Sequence, residues 1–268
     1  MFNHLARKAS RTATAVCLVL ASAGANAVPY FWTDWTGGDL DGGPGFQAQG
    51  TITTGSGSVG VTYTNPNGIG FYQPSGGADY YITNGAGASP YTSAAVDNRP
   101  TGTDIVALSQ SGSQTLQFSQ AIANPVFAFV SLNGNGYGFN HDFEILSQTG
   151  LNGAGCGYWG CGNVIKVVVD LGGGNFEYRL NSTNSTIGSE PHGTIRFLDT
   201  FDTLSWSSLT NEFWNGFTVG VQGTAVDVCV LNPTQPGCAQ FNGVPEPGSL
   251  ALLGLGFAGL GLYRRRKS

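Results

Sequence analysis

The segment Cys156-Gly157-Tyr158-Trp159-Gly160-Cys161 sets two aromatic rings between two cysteines. A bridge across that spacing would make the loop a rigid mount for Tyr158 and Trp159. Flat rings held in this way stack on the C–H faces of sugars, so the pair is a candidate carbohydrate platform. The competing reading folds Trp159 back onto the domain as a plug. Cys229 and Cys238 form the second close pair. Four cysteines in an exported chain read as disulfides. Pairing each with its near neighbour, Cys156–Cys161 and Cys229–Cys238, closes the shortest loops. Zinc is the alternative for thiolates, but the chain has no Cys-x-x-Cys pair.

The carboxylates suggest other chemistry. Asp34, Asp39 and Asp41 lie in a glycine-rich stretch that reads as a loop. Oxygen ligands on a flexible loop suit Ca²⁺, which makes Asp39 and Asp41 candidate calcium ligands, although the spacing is not that of an EF-hand. A solvated acidic turn would use the same residues. Glu190-Pro191-His192-Gly193 places a carboxylate two residues from an imidazole. That spacing fits a general acid–base pair, or a turn whose charge bonds to loop amides. The run His141-Asp142-Phe143-Glu144 reads as one strand, with Asp142 and Glu144 on one face and His141 and Phe143 on the other. A glycan hydrolase would draw on Glu190, Glu212 or the Asp142/Glu144 pair, and would need two carboxylates converging at about 5–10 Å. Serine-hydrolase, zinc-protease and phosphate-loop motifs do not occur. The reading is a protein without catalytic activity or a resident cofactor, calcium excepted.

The elements that must position these residues are strands. Gln47 to Thr54 and Ser58 to Thr64 flank a Gly-Ser-Gly turn, and Ile165 to Asp170 and Phe176 to Leu180 flank a triple glycine. Both read as hairpins. Val126 to Leu132, Phe139 to Leu146, Thr194 to Leu198, Thr203 to Trp206, Phe217 to Gln222 and Ala225 to Val230 read as further strands. Trp206 and Trp214 read as core or sheet-edge packing. Gly76 to Pro100 reads as a long loop with one strand at Tyr80 to Thr83. Many short strands between glycine-rich turns predict an all-β fold, a single β-sandwich or jelly-roll-like domain.

Both ends of the chain differ from its body. Arg7, Lys8 and Arg11 precede an apolar run, and Ala25-Asn26-Ala27 supplies small residues for cleavage by signal peptidase after Ala27. At the other end, Pro245-Glu246-Pro247 is followed by an apolar stretch from Leu250 to Tyr263 and then by Arg264, Arg265, Arg266 and Lys267. The prolines hold the motif extended, the apolar stretch can lodge in a membrane, and the cations stop translocation. The organisation expected is a signal peptide over 1–27, a β-sandwich domain over 28–243 and a sorting signal over 244–268.

The tail resembles the PEP-CTERM sorting signal, which exosortases recognise in Gram-negative bacteria that make exopolysaccharide. The same kind of tail is also catalogued as an ice-binding protein C-terminal domain, a label that describes the tail alone. The resemblance implies export through the inner membrane, transient membrane anchoring, exosortase processing, and a destination at the cell surface or in the extracellular matrix. The stretch from Tyr91 to Val221 resembles the β-sandwich bodies of other PEP-CTERM proteins. Its motifs are Asp97-Asn98-Arg99-Pro100, Asp104 to Leu108, Asn124-Pro125-Val126, Gly193 to Phe197 and Glu212 to Gly220. Those bodies bring no activity with them.

The formal charge of −5 averages unlike pieces. Seven of the 11 basic residues belong to the two ends, leaving Arg99, Lys166, Arg179 and Arg196 beside 15 of the 16 acidic residues, Glu246 lying in the tail. A body this acidic excludes nucleic acid as a partner and stays off anionic membranes. Exopolysaccharide is the partner expected after export, either around a structural matrix protein or bound by a carbohydrate-binding module.

Overall fold

The computed structural model describes residues 29–39, 45–183 and 189–239. Alternation of side chains decides its layers. In Ser58–Asn65 every second residue, from Val59 through Val61 and Tyr63 to Asn65, is buried. Ala48, Gly50 and Ile52 do the same in the strand paired with it. The strands are β1 (Phe31–Trp32), β2 (Asp34–Gly38), β3 (Phe46–Thr53), β4 (Ser58–Asn65) and β5 (Phe71–Gln73). After a long connection come β6 (Ile105–Leu108), β7 (Gly112–Ala123), β8 (Val126–Val130), β9 (Gly136–Phe139) and β10 (Phe143–Gln148). β11 (Val164–Gly172), β12 (Asn175–Ser182), β13 (Gly193–Phe197), β14 (Thr200–Ser208) and β15 (Asn215–Val221) complete the set, and one helix, α1 (Ala225–Leu231), follows.

The strands form two antiparallel sheets packed as a sandwich. One runs β10-β13-β8-β15-β6-β5, with β1 also on β15, and the other runs β11-β12-β9-β14-β7-β4-β3-β2. Within them, β6-β15-β8-β13 faces β7-β14-β9-β12, and the chain passes from sheet to sheet between most successive strands. This is the double Greek key of a jelly roll. β10 and β11 are insertions that extend the two sheets on the same side. The core between the layers is aromatic. Phe127 stacks on Phe217 at 4.9 Å, and Trp206 and Tyr63 from the opposite sheet each meet Phe217 at 5.2 Å.

β6, β8 and β15 are buried on both faces. Their outer face is covered by the connection between β5 and β6, which buries Tyr81, Tyr91 and Val96 against Ile105, Ala128, Val130 and Val126. That connection acts as a third layer. It contains no strand at Tyr80 to Thr83; isolated bridges run from Asn84 to Cys156 and from Ala88 to Ala154.

Three other expectations are corrected. Ala225 to Val230 is helical rather than a strand. Thr224 caps the helix by accepting from the Asp227 amide, and the Asp227 carboxylate accepts from the Thr224 amide in return. Phe139 to Leu146 is two strands in different sheets, because the chain crosses over at Asn140-His141-Asp142. The stretch from Asp34 to Gly38 is strand β2 rather than loop. The disulfides are those expected, Cys156–Cys161 and Cys229–Cys238.

Candidate functional site

Four connections meet at one end of the jelly roll: β6–β7, β8–β9, β12–β13 and β14–β15. Two glutamates fasten them. Glu212 accepts from the Asn133 amide at 3.0 Å and from the Asn215 side chain at 2.7 Å, while its own amide donates to Ser109 at 3.1 Å. Glu190 accepts from the Asn133 side chain at 2.7 Å and from the Ser131 hydroxyl. Asn133 therefore joins two acidic residues that lie far apart in sequence. Burial pushes the Glu212 carboxyl up to about 8, with the nearby Glu190 charge adding to the rise. A carboxyl that stays protonated at neutral pH can donate a proton, yet every oxygen of both residues is already bonded to a loop. The pair acts as a fastening.

His192 does not join them. It is fully buried and bonds through Nδ1 to the Tyr91 hydroxyl at 2.8 Å. Burial lowers its pKa to about 3, so the ring is neutral. Asp142, Glu144 and His141 are also held apart. They pair with Lys166, Arg196 and Asp199 respectively.

The disulfide loop rests on this fastened end. Gly157 lies so close to His192 that a Cβ there would come 2.2 Å from the ring, and the Glu190 amide donates to the Cys161 carbonyl at 2.9 Å. Outward from that contact the aromatic side chains form one continuous surface. Trp159 meets Tyr158 edge-on at 4.8 Å, and Tyr158 meets Tyr80 at 5.1 Å. Tyr80 meets Trp214 at 5.2 Å, and Trp214 meets Phe71 at 5.1 Å. Trp159 also lies 6.4 Å from the Trp214 ring and keeps 52% of its surface exposed, and Phe213, next to Trp214 in sequence, is 93% exposed. The cysteine spacing pointed to Tyr158 and Trp159. No local signal marks Phe71 and Tyr80, which reach the patch from β5 and the long connection. Trp214, expected in the core or at a sheet edge, is part of the patch and adjoins the Asn215 that Glu212 holds.

A second polar region lies beside β1 and β2, in an open hollow of about 520 Å³. Asp34 and Asp104 line it, and Asp104 accepts from the Trp35 amide at 3.0 Å. Burial, with Asp34 close by, raises the Asp104 carboxyl to about 6. Asp39 follows β2, and Asp41 lies outside the described residues. Among the described residues no three His, Cys, Asp or Glu side chains gather as a metal site. The expected signal peptide over 1–27, Pro245-Glu246-Pro247 and Arg264 to Lys267 also lie outside the described residues.

Fold and surface together define a disulfide-bonded all-β jelly roll with an aromatic patch at one end. Its destination is carried by the tail. Residues 243–267 match the family model described as the PEP-CTERM protein-sorting motif. The motif marks an exported protein targeted by exosortase to the surface or extracellular space. No curated protein and no solved structure matches the chain. Among the described residues no helix is long and apolar enough to cross a membrane.

Proposed function

We propose that this chain is a non-catalytic protein of the cell surface or exopolysaccharide matrix, held to polysaccharide by its aromatic patch. The observation that carries the reading is the run of rings from Phe71 through Trp214, Tyr80 and Tyr158 to an exposed Trp159 on a disulfide-braced loop. Rings fixed before binding lose little freedom when a sugar stacks on them. The absence of catalysis is part of the same proposal, and it is supported by the bonding of Glu190 and Glu212 into the loops. Signal peptidase would release the chain after Ala27, and exosortase would read Pro245-Glu246-Pro247. Leu250 to Tyr263 with Arg264 to Lys267 would anchor the chain transiently at the inner membrane of a Gram-negative cell.

Retention of the exported chain on the exopolysaccharide of its own cells tests the reading. Trp159→Ala removes the most exposed ring of the run. Losing ~1.4 kcal/mol of stacking weakens binding about tenfold. Retention equal to that of the parent chain would remove the patch as the binding site.

A further inference from the structure

β11 is an end strand of the larger sheet and pairs only with β12. Among the described residues no strand lies along its outer edge, so a row of backbone donors and acceptors faces outward. An edge of this length is usually guarded by an outward charge, a proline or a bulge. Here the sequence is Val-Ile-Lys-Val-Val-Val-Asp-Leu-Gly; the exposed Asp170 and a bulge at Leu171 guard only the turn end, and Val164 to Asp170 pair with β12 in unbroken register. Its one lysine is drawn inward, over the Phe143 and Tyr178 rings at 5.3 and 5.5 Å and onto Asp142. Apolar side chains are left exposed on both faces, Val168 at 52% on one and Ile165 at 49% on the other.

We infer that β11 is a self-pairing edge, on which a second copy of this chain docks its own β11 antiparallel about a two-fold axis through Val168. The sequence of the strand specifies this register. Around Val168, inside the regular part of the strand, Lys166 falls opposite the partner's Asp170 and Val167 opposite the partner's Val169. Each charge meets its opposite on one face, and aliphatic side chains meet across the other. Lys166 has three donors, enough for both Asp142 and a cross-strand carboxylate. A slip of two residues is the smallest that keeps each face on its own side. It would set Lys166 against Val168 or Gly172 and strand both charges. The pairing is isologous, so it closes at two copies and joins their larger sheets into one. The strong acidity of the body opposes this association, so added salt strengthens it.

The test uses the exported chain extracted from the cell surface. Sedimentation velocity is expected to show a dimer that strengthens with salt, and Val168→Lys, which sets two like charges at the axis, is expected to sediment as a single copy. The four body cysteines are already paired, so a new thiol reports on the register without depending on that variant's fold. Val168→Cys should oxidise to a covalent dimer at least tenfold faster than Ile165→Cys, whose two thiols would lie about 20 Å apart along the strands. A parent chain that is single at every concentration and salt overturns the inference. So does a dimer that survives Val168→Lys, or equal cross-linking by the two cysteine variants.

Discussion

Glu212→Gln should abolish a loss of stability that the parent chain suffers between pH 6.5 and 8. In the folded chain burial holds the Glu212 carboxyl at about 8, against an ordinary value of 4.5. Between those values the folded chain keeps a proton that the unfolded chain has released, so stability falls as pH rises. The steepest slope is ~1.4 kcal/mol per pH unit. Of the other shifted groups, His192 and Asp104 lie nearest this window, on its acid side. His192 is lowered from 6.5 to about 3, so its contribution is lost only as pH drops below 6.5. Asp104 is raised to about 6, and its own loss is mostly complete by pH 6.5. Glu212 therefore dominates the interval, with a ceiling of ~2 kcal/mol and, given its remaining contact with water, about half that in practice. For a domain of this size the parent chain should melt roughly 2–4 °C lower at pH 8 than at pH 6.5. The amide introduced by Glu212→Gln is neutral throughout, and the Asn215 amide can turn over to accept from it. Scanning calorimetry at fixed ionic strength would give a flat melting temperature for the variant. Parallel falls in both chains would refute the assignment of the buried proton to Glu212.

Three further outcomes are expected. Phe127→Ala empties the centre of the ring stack and should cost about 3–5 kcal/mol, read as a lower denaturation midpoint with the slope unchanged. Gly157→Ala drives a methyl into the His192 ring, so the disulfide loop must lift, and polysaccharide retention should fall while the far-ultraviolet spectrum stays that of the parent. Intact-mass measurement of the surface form should show a chain that begins at Val28 and lacks Leu250 to Ser268, and a retained arginine cluster would contradict processing at the motif.

The sandwich was legible wherever one face of a strand meets water. β3, β4 and β12 alternate between apolar and polar residues, and their positions were readable to within two residues. β7 was not, because an inward position is filled by Gln114. That side chain is satisfied by Tyr63, Asn65 and Ser208, and only the folded neighbours disclose those partners. α1 was hidden for the opposite reason. Ala225 to Leu231 is rich in β-branched residues, and a reciprocal cap and a disulfide hold it helical against that preference. At the candidate site the cysteine spacing exposed Tyr158 and Trp159. Long-range packing brought Tyr80 and Phe71 to them, and no local pattern encodes that meeting.

All four cations of the body are tied to carboxylates: Arg99 to Asp79, Lys166 to Asp142, Arg179 to Glu177 and Arg196 to Glu144. Three of them also lie within paired strands, and the fourth precedes Pro100. A trypsin-like protease cuts where a free lysine or arginine sits in a segment that can be drawn into its cleft. At each of these positions it would have to break an ion pair, and at three of them to strip a strand from its sheet. The body should therefore resist trypsin-like proteases, a durability suited to a protein left outside the cell that made it.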